Sequence, residues 1–119
     1  MEIFKEFTFE AAHRLPHVPV DHKCSRLHGH SYHVTVYVEG SATGHDGWVR
    51  DFADLSCAMA PVLGCLDHYY LNEIDGLDNP TSEVIAAWIW DRLRPSLADL
   101  SQVVLRETCT SGCVYRGPE

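Results

Sequence analysis

Residues 3 to 13, IFKEFTFEAAH, alternate between apolar and polar positions. Phe7, Phe9, Ala11 and His13 fall on one face, and Glu6, Thr8, Glu10 and Ala12 on the other. A period of two predicts a half-buried strand. Residues 28 to 39 alternate in the same way and predict a second strand. Between them, RLPHVPVDHKCSRL carries two prolines and many polar residues and reads as a loop. GSATGHDG is a turn-rich connection after the second strand. From 51 to 63 the period changes. Phe52, Leu55, Met59 and Val62 recur at helical spacing, Asp51 is placed to cap the start, and Pro61 is expected to kink or shorten the end. A second helix is predicted from about Thr81 to Arg94. Asn79-Pro80-Thr81 starts it, Ile85, Trp88, Ile89 and Leu93 form its apolar stripe, and Pro95 stops it. SQVVLRET, residues 101 to 108, reads as a third strand, and residues 112 to 116 as a shorter fourth. This order predicts an α+β fold, a four-stranded antiparallel sheet with two helices packed on one face. No internal repeat, low-complexity tract or linker interrupts residues 1 to 119, so one domain is expected.

Composition narrows the possible partners. The chain is 45% hydrophobic and 22% charged, as in a soluble globular domain. No apolar run approaches the ~20 residues of a membrane span. The opening MEIFKEFTFEAAHRL lacks the basic start and apolar stretch of an export signal, so a cytoplasmic location is expected. A formal net charge of -8 disfavours sequence-independent binding to nucleic acid or anionic membrane. A small anionic ligand is still compatible with a local cluster: Lys23 and Arg26 flank Cys24, and Arg14 follows His13.

Five cysteines, Cys24, Cys57, Cys65, Cys109 and Cys113, form an odd and scattered set that argues against a disulfide framework. Cys109 and Cys113 have C-x-x-x-C spacing, a weak metal signal that packed or semi-exposed thiols also satisfy. Cys57 and Cys65 lie on the apolar helical pattern and are expected in the core.

Eight histidines are many for this length. On a strand, residues two apart point the same way. His28 and His30 therefore share the face of Tyr32, Val34, Val36 and Val38, while His33 points away with Ser31 and Thr35. Two imidazoles so spaced can converge on one ion, and Gly29 between them permits close approach to the backbone. His13, ending the apolar face of the first strand, is the candidate third ligand if the two strands pair. Three histidines would leave zinc a fourth position for water or a substrate oxygen. Strand histidines without metal fit the same pattern. His17, His22 and His45 fall in loops and are expected to be solvated.

Three further positions carry possible chemistry. Cys24 lies four residues before His28. Beside a metal cation, Lys23 and Arg26, its thiol would lose its proton more easily and could act as a general base; a ligating or simply exposed thiol is the other reading. LDHYYLN places Asp67 beside His68, which suits a carboxylate-oriented imidazole and equally a capping aspartate with a surface histidine. Glu107 ends the apolar face of Val103 and Leu105. A carboxylate there needs a partner, either a ligand offering two adjacent N–H donors or an arginine such as Arg116.

Together the segments FTFEAAHRLP, HKCSRLHGHSY, GWVRDFADL, LDHYYLN, NPTSE, WIW and RETCTSGCVYRG resemble the 6-pyruvoyl-tetrahydropterin synthase family along nearly the whole chain. The C-x3-H-G-H spacing is most similar to its queuosine-pathway branch, the 6-carboxy-5,6,7,8-tetrahydropterin synthases. The pyruvoyl branch typically has two more residues between cysteine and H-G-H. The resemblance implies the tunnelling fold, in which sheets of several subunits close into a barrel, and a homo-hexamer with active sites between subunits. It implies Zn2+ on His13, His28 and His30, and Cys24 as the proton-abstracting cysteine. Asp67 and His68 would be the relay pair across the substrate. Glu107 would anchor the pterin and join the relay, and Thr81 and Ser82 would contact the pterin. Lys23 and Arg26 are the expected triphosphate contacts. The implied reaction takes 7,8-dihydroneopterin triphosphate to 6-carboxy-5,6,7,8-tetrahydropterin, acetaldehyde and triphosphate. Its redox change is internal to the substrate, in keeping with the lack of a Gly-rich dinucleotide motif. Elimination to a 6-pyruvoyl pterin and non-catalytic zinc or pterin binding are the alternatives.

Overall fold

In the computed structural model, which describes residues 1–118, the chain runs β1 (Glu2–His13), β2 (His28–Glu39), α1 (Phe52–Leu66), β3 (Tyr69–Tyr70), α2 (Ser82–Leu93), β4 (Leu100–Thr108) and β5 (Ser111–Tyr115). Short 3₁₀ turns occupy Lys23–Ser25 and Leu71–Glu73. The sheet order is β3-β1-β2-β4-β5. The expected four-stranded antiparallel sheet is thus a five-stranded mixed one. The added strand, β3, is two residues long and pairs parallel to β1 through Ala11–Tyr69 and Ala12–Tyr70. Two residues are too few to show a hydrophobic period, so the pattern could not announce it.

The alternation of β1 and β2 is realised in their burial. Phe9, Ala11 and His13 on β1, and Tyr32, Val34, Val36 and Val38 on β2, are buried beneath the helices. Glu10, Ser31 and His33 lie exposed on the outer face. The antiparallel register sets His13 opposite His28 and Ala11 opposite His30. Gly29 serves this pairing, since a Cβ there would sit 3.3 Å from the Ala11 carbonyl oxygen.

Asp51 caps α1 by accepting the Ala53 amide at 2.9 Å. The helix passes Pro61 and ends at Leu66 rather than near residue 63. Pro61 itself is exposed, and the buried Val62 and Leu66 hold the last turn. Cys57 and Cys65, expected in the core, are exposed. The buried stripe is Leu55, Met59, Val62 and Leu66. At about 100° per residue, Cys57 lies nearly opposite that stripe and Cys65 on its flank. Phe52 is likewise half exposed. On α2, Ile85, Trp88, Ile89 and Leu93 are buried as the spacing predicts, and the Thr81 hydroxyl accepts the Val84 amide at 3.2 Å to cap the start. No helix among the described residues is long and apolar enough to cross a membrane.

Candidate metal centre and catalytic cleft

The pairing of β1 with β2 assembles the histidines. Ring nitrogens of His13, His28 and His30 lie within 4.8 Å of one another, one from each residue. His13 Nε2 and His28 Nε2 are 3.0 Å apart. The opposite nitrogens fix the tautomers. His13 Nδ1 faces the Pro80 carbonyl at 2.8 Å, and His28 Nδ1 faces the Arg26 carbonyl at 2.7 Å. A carbonyl only accepts, so each Nδ1 carries a proton, and in the neutral ring each Nε2 presents a bare lone pair. Two lone pairs at that distance repel unless a cation lies between them. An imidazolium is the poorer choice at His13: burial pushes its pKa below the usual value, against the opposing pull of the Pro80 hydrogen bond. His30 Nε2 is buried without a hydrogen-bond partner. Glu107 Oε1 is 3.1 Å from it but outside hydrogen-bonding alignment. Burial also lowers the His30 pKa, with the Glu107 charge opposing. Three clustered imidazoles, two held by carbonyls behind them, fit a metal ion. Such a set would hold a metal ion that histidine nitrogens bind at ~2.0–2.1 Å.

Sequence reasoning missed the supporting partners. The Tyr32 hydroxyl lies 3.2 Å from His13 Nδ1, beside the Pro80 carbonyl. Tyr32 shares the histidine face and could have been found by parity; a backbone carbonyl carries no sequence signal.

A cleft of about 430 Å³ opens beside the histidines, lined by Lys23, Cys24, His28, His30, Glu107, Thr108 and Ser111. Cys24 enters it from the 3₁₀ turn and is partly buried. Glu107 enters from a bulge: Arg106 pairs with Gly112 and Thr108 with Ser111, so Glu107 has no cross-strand partner. Bulges re-aim side chains in this way. Gly112 is needed for this close approach, because a Cβ there would lie 2.4 Å from the Leu105 carbonyl oxygen. Within the chain Glu107 Oε2 accepts the Ser82 hydroxyl at 2.8 Å while Oε1 faces His30, and no arginine among the described residues pairs with it. Its remaining lone pairs are available to a ligand. Arg26 is exposed and contributes its backbone carbonyl to His28; Lys23 lines the cleft.

Asp67 and His68 do not join this cleft. His68 instead lines a second cleft of about 540 Å³, at the β3 edge of the sheet, with Glu10, Ala12, Gly29, His30 and Ser31. The pair itself is built as a unit. Asp67 Oδ2 is 3.0 Å from His68 Nδ1, while Oδ1 accepts the Glu10 amide at 2.8 Å. The Glu10 hydrogen bond, then His68, hold the Asp67 carboxyl below its usual pKa. His68 adopts the left-handed conformation, φ 65°, and its amide donates to the Glu10 carbonyl at 2.6 Å. That conformation costs a non-glycine residue roughly 1–2 kcal/mol. The Asp67 and β3 contacts maintain it and aim the ring outward from the sheet edge.

The sequence model of the 6-pyruvoyl tetrahydropterin synthase family matches residues 2–118. A 6-carboxy-5,6,7,8-tetrahydropterin synthase of Synechocystis sp. is 48% identical over 122 residues, covering 98% of this chain and 93% of that protein. One of Bacillus subtilis is 35% identical over 127 residues, covering 97% and 84%. The structure of Caenorhabditis elegans 6-pyruvoyl tetrahydropterin synthase superposes with a TM-score of 0.91 at 27% identity, covering 99% of this chain and 96% of that one.

Proposed function

The chain belongs to the 6-pyruvoyl tetrahydropterin synthase family, and on that footing we propose that it is a lyase of the queuosine pathway. It converts 7,8-dihydroneopterin triphosphate to 6-carboxy-5,6,7,8-tetrahydropterin, acetaldehyde and triphosphate. The observation that carries the reading is the cleft in which a partly buried thiol, two of the clustered histidines and an aimed carboxylate meet.

His13, His28 and His30 hold the metal, which we take to be zinc. When bound, it supplies Lewis acidity toward the hydroxyls of the substrate side chain. The remaining work falls to the chain. Glu107 accepts two parallel N–H bonds from the pterin and fixes the ring, with Ser82 steadying its second oxygen. The Thr81 hydroxyl is occupied by the helix cap, so that residue reaches the pterin through its backbone. Cys24 takes and returns a proton next to the side chain. Lys23 and Arg26 meet the triphosphate.

His68, oriented by Asp67, moves the second proton. Because His68 lines a different cleft from Cys24, the pair serves the cleft of a neighbouring subunit. A homo-hexamer with sites between subunits satisfies this requirement. The small acidic chain acts in the cytoplasm. The test is the product mixture: acetaldehyde with a 6-carboxy pterin is expected, and a pyruvoyl pterin without acetaldehyde would assign the sister activity.

A further inference from the structure

Cys24 is held by its main chain on both sides. Its carbonyl accepts the Leu15 amide at 2.8 Å, two residues beyond His13, which ties the thiol's turn to the end of β1. Its amide donates to His22 Nδ1 at 3.0 Å. His22 thereby occupies the cap position of the Lys23–Ser25 turn with an imidazole nitrogen where a serine or aspartate oxygen is usual. The same residue anchors the turn twice more through its backbone: its amide donates to the Pro19 carbonyl at 2.9 Å, and its carbonyl accepts the Ser25 amide at 3.0 Å. The Ser25 hydroxyl closes the loop on the Val20 carbonyl at 2.8 Å. No residue of the turn is fully buried, so these hydrogen bonds do much to set where Cys24 stands.

We propose that His22 is a positioning residue for Cys24: its Nδ1 holds the Cys24 amide and so fixes the thiol against the cleft. Nδ1 can accept only while the ring proton sits on Nε2, so the device uses one tautomer of one ring. His22 does not line the cleft; its effect passes through the Cys24 peptide. This rests on the proposed role of Cys24 as the proton-moving group.

The test compares His22→Ala with His22→Asn in the metal-loaded, full-length protein. Asparagine is a good cap whose side-chain oxygen can replace Nδ1 as acceptor. His22→Ala should lower kcat about tenfold, because a reacting group displaced by a fraction of an ångström leaves its attack geometry. KM and metal content should stay within about twofold, and His22→Asn should recover most of the lost kcat. An unchanged kcat in His22→Ala, or no recovery in His22→Asn, overturns the proposal. A second readout does not depend on turnover: the alkylation rate of Cys24 by iodoacetamide, followed on its own peptide by mass spectrometry. It should change in His22→Ala and return toward wild type in His22→Asn; identical rates in all three proteins overturn the proposal. Cys24→Ala assayed alongside separates the two ideas, since unchanged turnover there refutes the role of Cys24 while the alkylation rates still judge the cap.

Discussion

His13 Nε2 stands 3.0 Å from His28 Nε2, and the other nitrogen of each ring is already donating to a backbone carbonyl. A cation between the two Nε2 atoms would complete the pair. His28→Ala and His30→Ala should each lower metal affinity by at least about 100-fold, the loss expected when one of three ligands is removed from a site tuned by its supporting hydrogen bonds. Metal content after dialysis, measured by plasma mass spectrometry, checks this. A full equivalent retained in either variant would show that the ion lies elsewhere.

The metal-free protein should be acid-sensitive through the same rings. Burial depresses the folded pKa of His13 and of His30 below the ordinary histidine value of about 6.5. The unfolded chain then binds more protons than the folded one in the window between the two values. Their contribution is complete above about 6.5 and is lost as pH falls through the depressed folded values. The urea midpoint of metal-free protein should fall between about pH 7.5 and 5.5, and less in His13→Asn. A flat midpoint in the wild type would contradict the burial argument.

The thiol and the imidazole line two separate clefts that share His30. Cys24→Ala and His68→Ala should each retain metal and lose about 10²- to 10⁴-fold in turnover, the usual contribution of a positioned acid or base. If one subunit supplies the thiol and its neighbour the imidazole, unfolding and reassembling the two inactive variants together should restore part of the activity. Mixed assemblies as inactive as their parents would mean that each chain completes its own site.

Glu107 has no cross-strand partner and is steadied by Ser82. Glu107→Gln keeps the shape, removes the charge and puts an N–H donor where an acceptor is needed. Hydrogen bonds to charged groups contribute ~1.5–3 kcal/mol, so pterin KM should rise about 10- to 100-fold with metal content unchanged. Loss of the metal in this variant would make the carboxylate part of the metal centre instead of the pterin anchor.

Much of this arrangement is legible in the sequence because strands impose a strict parity. Parity alone selects His28 and His30 over His33, and the last residue of the first apolar face is His13. The structure brings those three rings together. What parity does not carry is what depends on short or irregular backbone. A two-residue strand has no period, so the fifth strand and the placement of Asp67 and His68 at the β3 edge were invisible. The Glu107 bulge needs pairing information that its own strand lacks, although Gly112 opposite is its mark. The helical cysteines show the reverse error: Cys57 and Cys65 sit in an apolar segment, but the angle between each and the buried stripe decides burial, and that angle places them outside.

The most direct measurement is the stoichiometry of acetaldehyde. Metal-loaded protein would be incubated with 7,8-dihydroneopterin triphosphate, with acetaldehyde and pterin products quantified together. The account predicts one acetaldehyde for each 6-carboxy-5,6,7,8-tetrahydropterin formed, with both abolished by removing the metal. Pterin turnover with no acetaldehyde would contradict it.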